Sequence, residues 1–465
     1  MWTAVWRLVS ISPLGSSWCP AYALIDFVPL AQLAAALGVQ GLNFLNAWLA
    51  VVLAAAAAPA LAPARAELAA RSCTPRHTAA FTALTLGALL LGGGRIYGGA
   101  FWQRPASAAA GGVPLLAASC ITRQSVAPGS GQFAELMALT LARVAVGDDV
   151  VLWSEEAVEA GSAGDEALLL AAATAAARAS TKTYIGVTYD TTFGERHRNA
   201  FVLLAPGGGV AWNYSKAHPV PLVERDITPG PDKLPTAKSP LGKLGGGICF
   251  DFDFPDFVRQ AAWKGVAVLL QPSWTWGALG GRHFAIDALR AVESGATLIR
   301  CASDGISGAV SPYGERLYQR YTAASDFAAF TVPAPRTPVW TLYSRLGFVF
   351  GWFCVAFAAL YWLTLAGIVP PVLFDSRRTD FDVRVNRQLS RSFSRQYSAR
   401  ISPARAAAAR QLFAAGGGDA SAAAAAAAAP NGGGGVTEPL LAAAEPAGEE
   451  GNGSANGGGH GPDGV

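Results

Sequence analysis

Three residues of different chemical type, a carboxylate, an ammonium and a thiol, each lie just past a short apolar run. Asp149-Val-Val-Leu-Trp-Ser-Glu155-Glu156-Ala157 sets a glutamate beyond one such run, and Trp212-Asn-Tyr-Ser-Lys216-Ala-His218-Pro-Val-Pro a lysine beyond another. Gly247-Ile-Cys249-Phe-Asp251-Phe-Asp253-Phe-Pro255 sets a cysteine at the end of a third, just before a helical pattern. Loops at strand ends are where α/β folds build their sites. A thiol of pKa about 8.5 is mostly protonated at neutral pH, so a nucleophilic cysteine needs a base to take its proton or a cation to stabilise the thiolate. Glu155 can be that base and Lys216 that cation, and the lysine can also stabilise the oxyanion of a tetrahedral intermediate, helped by backbone N–H groups of the turn after Cys249. The set suits acyl transfer through a thioester.

Each member taken singly has an ordinary structural reading: an inert buried thiol, a surface carboxylate, a surface ammonium. The expectation rests on their joint appearance. The other candidates are weaker in kind. Trp274 and Trp276 alternate at strand spacing and either line an apolar channel or belong to the core. The six cysteines, at 19, 73, 120, 249, 301 and 354, form no close pair and no CxxC, so neither a disulfide framework nor a zinc site is implied. The five histidines are scattered, nothing resembles a metal-ligand cluster, and neither a metal nor any other cofactor is expected.

These residues need a scaffold, and the stretch from about 112 to 335 supplies the pattern of one. Val150–Trp153, Tyr184–Tyr189, Ala200–Leu204, Gly247–Phe250, Val266–Leu270 and Thr297–Cys301 read as strands. Phe133–Val144, Glu166–Ala179, Phe257–Lys264 and Phe284–Ser294 between them read as helices. Alternation of this kind indicates a layered α/β domain.

Around that domain the composition changes. Over 465 residues 52% are hydrophobic and only 14% charged, against about 25% charged in an average soluble domain. Residues 38–62 and 346–369 are uncharged apolar stretches of about the length that crosses a bilayer, and 78–94 is a shorter, glycine-rich one. Met1–Leu37, broken by Pro13, Gly15 and Pro20, is not expected to be a cleaved signal peptide; Ala31–Leu37 reads as a short interfacial or re-entrant piece. Arg65, Arg71 and Arg76 follow the first stretch, and Arg377, Arg378, Arg384, Arg387, Arg391, Arg395, Arg400, Arg405 and Arg410 follow the last. By the positive-inside rule both regions face the cytoplasm, and the domain between the second and third spans lies on the opposite face. A net charge of +3 gives no case for nucleic acid, and the basic run beside an apolar helix points instead to anionic phospholipid. From about Ser402 the alanine runs and GGGG are expected to stay disordered.

The motifs resemble those of a known family. Trp153-Ser-Glu155-Glu-Ala157 is similar to the Trp-Pro-Glu-Thr-Ala of apolipoprotein N-acyltransferases, in the carbon-nitrogen hydrolase (nitrilase) superfamily. Tyr214-Ser-Lys216-Ala-His218-Pro-Val-Pro221-Leu-Val-Glu224 resembles their Tyr-x-Lys-x-x-Leu-Val-Pro-Phe-Gly-Glu, and Ile248-Cys249-Phe-Asp251-Phe-Asp-Phe-Pro255 their Ile-Cys-Tyr-Glu-x-x-Phe-Pro. Leu289-Arg290-Ala-Val-Glu293 through Asp-Gly305-Ile-Ser307 resembles a further block, and the likeness runs from about 12 to 368.

The resemblance implies an αββα four-layer sandwich flanked by transmembrane helices, with Glu155, Lys216 and Cys249 catalytic and Glu224 and Asp251 at further active-site carboxylate positions. It implies that Cys249 takes an acyl chain from a phospholipid donor and passes it to an amine, a protein N-terminus or a small amine, as in lipoprotein biosynthesis. Ser154, Phe250, Asp251 and Leu222-Val223 depart from the family pattern, as does Pro272-Ser-Trp274-Thr-Trp276-Gly277. The last two departures fall in segments that shape the acceptor and lipid side.

The expected organisation is therefore an N-terminal membrane region (1–111), a carbon-nitrogen hydrolase catalytic domain (112–335), a C-terminal transmembrane helix (336–374) and a basic, then disordered tail (375–465). Two alternatives remain open from the residues: a membrane-tethered amidase or nitrilase-type hydrolase using water as acceptor, and an inactive membrane scaffold. The intact glutamate, lysine and cysteine argue against the last.

Overall fold

The computed structural model describes residues 1–61, 75–94, 112–194, 197–366 and 368. The tail from 375 and the arginines at 65 and 71, on which the topology expectation leans, lie outside the described residues.

Two mixed sheets carry the central domain. The first has the order β13-β1-β2-β4-β5-β6, with β3 beside β4. Its strands are β1 (Leu115–Thr122), β2 (Val150–Trp153), β3 (Val158–Ala160), β4 (Tyr184–Thr191), β5 (Arg198–Leu204), β6 (Val210–Ser215) and β13 (Asp326–Pro333). β1, β2 and β4 run parallel, β13 pairs antiparallel with β1 and β5 with β4, and β6 pairs antiparallel with β5. The second sheet has the order β12-β11-β10-β9-β8-β7. It consists of β7 (Thr236–Ala237), β8 (Leu244–Gly246), β9 (Val268–Trp274), β10 (Thr297–Ser303), β11 (Gly305–Val310) and β12 (Arg316–Thr322), with β8, β9 and β10 parallel.

The helices follow from local signals. Among the described residues five lie before β1: α1 (Trp2–Ser10), α2 (Val28–Ala31), α3 (Ala34–Leu37), α4 (Val39–Leu61) and α5 (Pro75–Gly93). Ser130 caps α6 (Gly131–Val146) by accepting from the Phe133 N–H, and Gly147 ends it at φ 87°. Ser162 caps α7 (Ala163–Arg178), with Asp165 and Glu166 in the first turn, where the helix dipole favours negative charge. Pro255 opens α8 (Pro255–Lys264), and α9 (Gly280–Ser294) is buried along most of its length. One core lies between the first sheet and α6 and α7. A second joins both sheets to α8 and α9. Helices thus cover the outer face of each sheet, which gives the expected α/β layering.

The predicted helices are present, each lengthened by a few residues. One strand is corrected: Gly247–Phe250 is not a strand, because β8 stops at Gly246 and a 3₁₀ turn, Cys249–Asp253, begins at the cysteine. The cysteine expectation is also corrected. Cys120 on β1 and Cys301 on β10 form a disulfide across the two sheets, 181 residues apart in the chain. Spacing could not reveal it, since only the stacking of the sheets brings the two strands together.

The N-terminal region is not set apart from the domain, for Met1–Pro370 is one compact unit. Tyr22, Ile25, Ala31, Ala34 and Leu42 belong to the same core as β8, β9 and α9. Asn43 and Asn46, the polar residues of the first apolar stretch, are satisfied locally: Asn43 Oδ1 accepts from Cys19 Sγ at 3.1 Å and Asn46 Nδ2 donates to the Pro20 carbonyl at 3.2 Å. In α1 the usual polarity is reversed. Thr3, Ala4, Arg7 and Ser10 face inward, while Trp2, Val5 and Leu8 are exposed. Arg7 pairs with Asp256 at 2.8 Å and stacks against Phe348 and Trp352.

Among the described residues no single helix is long and apolar enough to cross a membrane. Val28–Leu37 and Val39–Ala54 meet the criterion only as a pair bent by 119°. The expected stretch 346–369 is shorter as a helix: α10 (Leu342–Leu346) and α11 (Val349–Leu365, 17 residues) are parted at Gly347. That glycine has φ 54°, and a Cβ there would run into the Arg259 guanidinium, so the chain turns at the start of the expected stretch and α11 begins two residues later.

Candidate active site

Glu155 follows β2, Lys216 follows β6, and Cys249 starts the turn after β8, so each sits where a strand runs out. Glu155 Oε1 lies 2.7 Å from Lys216 Nζ, and both residues are buried. The other carboxylate oxygen accepts from the Trp274 backbone N–H at 2.8 Å, and the carbonyl of the same tryptophan lies 3.5 Å from Cys249 Sγ. The end of β9 therefore touches the glutamate with its N–H and the thiol with its C=O.

The cysteine is held in an uncommon conformation. Its φ is 43°, in the left-handed region where a residue other than glycine is strained by about 1–3 kcal/mol. Surrounding groups enforce it. Asp251 Oδ2 accepts from the Ile248 N–H at 2.8 Å, and Gln271 Nε2 donates to the Cys249 carbonyl at 3.2 Å. Asp251 also accepts from Tyr214 Oη at 2.8 Å and from the His218 backbone N–H at 2.9 Å. One buried carboxylate thus ties the cysteine turn to the loop that carries Lys216.

The charges around the thiol oppose one another. Burial pushes the Cys249 thiol well up and the Glu155 charge pushes it further, while the Lys216 ammonium pulls it down. Burial alone would favour a neutral Lys216. Glu155, Glu224 and Cys249 outweigh it and hold the ammonium proton well above the usual lysine range. Glu224 Oε1 lies 2.6 Å from Lys216 Nζ, and Oε2 accepts from the Val220 N–H at 2.6 Å. Burial and then Glu155 raise the Glu224 carboxyl against the pull of Lys216. Carboxylate oxygens of Glu155, Glu156 and Glu224 all lie within 4.8 Å of one another, and Lys216 supplies the cation among them.

Of the sequence candidates, Glu155, Lys216, Cys249, Glu224, Asp251 and Trp274 come together. Trp276 does not share the strand: β9 ends at Trp274, and Trp276 precedes a short 3₁₀ turn with 48% of its surface exposed. Its alternation with Trp274 is not a strand alternation. Sequence reasoning passed over Asn199, at the start of β5, whose Nδ2 donates to Glu155 Oε1 at 2.8 Å and to Glu156 Oε1 at 3.0 Å. Tyr214, on β6 two residues before Lys216, stood in the sequence motif but was given no role there. Arg300, which donates to Gln271 at 2.8 Å and pairs with Asp287, supports the site from below and has no signal in its spacing.

Parts of this sequence are shared with known proteins. Residues 145–325 match the carbon-nitrogen hydrolase family model. The chain is 37% identical to the apolipoprotein N-acyltransferase of Gloeobacter violaceus over 131 residues, which cover 28% of this chain and 24% of that one. It is 33% identical to the deaminated glutathione amidase of Mus musculus over 117 residues, 23% of this chain and 36% of the other. The chain therefore spans between about a quarter and just over a third of the length of these curated relatives. A solved amidase from Nesterenkonia sp. aligns over 48% of this chain and 90% of its own, at 20% identity and a TM-score of 0.40. With its glutamate, lysine and cysteine motifs in order inside the matched segment, residues 145–325 resemble a carbon-nitrogen hydrolase domain, and the chain is similar over part of its length to the apolipoprotein N-acyltransferases.

Proposed function

We propose that this protein is a membrane-bound N-acyltransferase that moves a fatty acyl group from a phospholipid through a Cys249 thioester to an amine. Glu155 takes the thiol proton, and Sγ attacks the ester carbonyl. A C–S bond forms, the C–O bond breaks, and the lysophospholipid oxygen leaves with a proton returned by Glu155. In the second half the amine attacks the thioester, a C–N bond forms, the C–S bond breaks, and Glu155 takes the amine proton and passes it to the leaving thiolate. Lys216 stabilises the oxyanion in both halves. The observation that carries the reading is the buried contact of Glu155 with Lys216 at 2.7 Å, beside a thiol that touches the same Trp274 backbone.

A lipid donor fits the outward apolar faces of α1 and α11, where Trp2, Val5, Leu8, Trp352 and Phe353 are exposed. Placement of the catalytic domain on the non-cytoplasmic face is supported by the Cys120–Cys301 disulfide, a bond characteristic of oxidising compartments. The organisation proposed remains an N-terminal membrane region, the catalytic domain at about 112–335, a C-terminal membrane helix and a cytoplasmic basic tail.

Incubation with an alkyne-tagged phospholipid is expected to leave a hydroxylamine-sensitive adduct on Cys249 that is lost in Cys249→Ala. The second reading is a tethered amidase, favoured by the 33% identity to deaminated glutathione amidase. Unlabelled wild-type protein that releases ammonia from amides establishes the amidase and defeats the transferase.

A further inference from the structure

Among the described residues, Glu156 stands beside the general base with no salt bridge of its own. Lys216 contacts Glu155 and Glu224, at 2.7 and 2.6 Å. Glu156 instead shares the Asn199 side-chain amide with Glu155, one N–H to each carboxylate, at 3.0 and 2.8 Å. Its backbone has φ 51°, an uncommon value for a glutamate, in the turn that also carries Glu155. Its carboxylate oxygen lies within 4.8 Å of those of Glu155 and Glu224.

We propose that Glu156 is a positioning residue for the Cys249 reaction, holding Glu155 through the Asn199 amide they share, and that its own loss of a proton slows thiolate formation. The inference rests on the reading of Glu155 as the base that serves Cys249.

The electrostatics follow from the contacts. Three carboxylates crowd one ammonium, so the one without a salt bridge keeps its proton longest. Burial, then the Glu155 charge, raises the Glu156 carboxyl to about 8, against the opposing pull of Lys216. Among the described residues, the charged groups that bear on it are Glu155 in its own turn, Lys216 after β6, Glu224 in the following loop and Asp190 on β4. Asp190 is itself raised to about 6, first by burial, and is therefore ionised before Glu156 loses its proton. At neutral pH Glu156 is mostly neutral and accepts one Asn199 N–H without adding charge. Above its midpoint a new negative charge appears next to Glu155, and a like charge at that range disfavours a second anion on the Cys249 sulfur.

The test is the rate of iodoacetamide alkylation at Cys249, read on the full chain by mass spectrometry of the Cys249 peptide, from pH 6.5 to 9.5. In Glu156→Gln the amide oxygen can still accept from Asn199, but the ionisation is gone. The ratio of Glu156→Gln to wild-type rates is expected near one at pH 6.5 and to rise about tenfold by pH 9.5, with a midpoint near 8. Glu156→Asp, which keeps the charge, is expected to follow the wild type. A ratio that stays constant with pH, whatever its size, reduces Glu156 to a structural residue and overturns the inference. Alkylation needs neither acyl donor nor acceptor. A rising ratio in a protein that fails to label with phospholipid therefore supports this inference while defeating acyl transfer. A Glu155→Gln variant that alkylates like wild type removes the base, and this inference with it.

Discussion

At the scale of single residues, Lys216 carries the largest electrostatic load, because two carboxylates depend on a side chain that is 0% exposed. Lys216→Met removes the cation and leaves the Glu155 and Glu224 carboxylates buried with only N–H donors and no ion-pair partner. Breaking a buried pair from one side costs about 3–5 kcal/mol, so a clear fall in Tm is expected together with loss of Cys249 acylation. Asp251→Ala is expected to act differently. It leaves Glu155 and Lys216 paired but frees the Ile248 N–H and Tyr214 Oη at once, so Cys249 alkylation should slow while the melting temperature falls by about 1–3 kcal/mol of stability. Asp251→Asn, which keeps an acceptor, should lose less on both readouts.

Glu156 also predicts a pH dependence of stability. Its carboxyl rises from an ordinary 4.5 to about 8 on folding, so the folded state holds the proton more tightly. Stability from this group is greatest below about 4.5 and is lost as pH rises through about 8. Thermal melts should therefore show Glu156→Gln gaining on wild type across that window and converging with it at low pH. Glu155, Lys216 and Cys249 were legible from sequence because each is marked by a strand end and by neighbours of a recognisable kind. Asn199 was not, since a lone asparagine ahead of an apolar run reads as a turn residue, and only the pairing of β4 with β5 brings it to Glu155.

At the scale of elements, apolar periodicity and caps read well where burial is one-sided. Ser130 and Ser162 mark helix starts, and Val150–Trp153 stands as a strand over the residues expected of it. The turn at Gly347 separates α10 from α11 at the start of the apolar stretch, because its backbone sits at φ 54° against Arg259. Gly347→Ala puts a methyl group into that guanidinium and a side chain into left-handed backbone. The α10–α11 corner and the Arg259 contact to the Tyr343 carbonyl should both be disturbed. Detergent-solubilised protein is expected to melt at lower temperature, with faster proteolysis at the corner than in wild type.

At the scale of the whole molecule, the two sheets are joined by a covalent bond that no spacing rule could announce. In the chain-entropy account a loop closed over 181 residues is worth about 5 kcal/mol. Cys120→Ser and Cys301→Ser should each lower the Tm substantially, and the double variant should cost no more than either alone. Alkylation of denatured, unreduced protein should leave these two thiols unmodified, and reduction should expose them. Hydropathy sees the apolar surface of residues 19–42 but not that part of it completes the core over α9.

The bond between β1 and β10 has a mechanical consequence. Layers fastened to each other cannot part to admit a long chain, so any opening that widens toward the sulfur must come from the rim. The segment around Leu222 and Val223 and the turn at Trp276 are well exposed and belong to neither sheet, so the bond leaves them outside the layers it fastens.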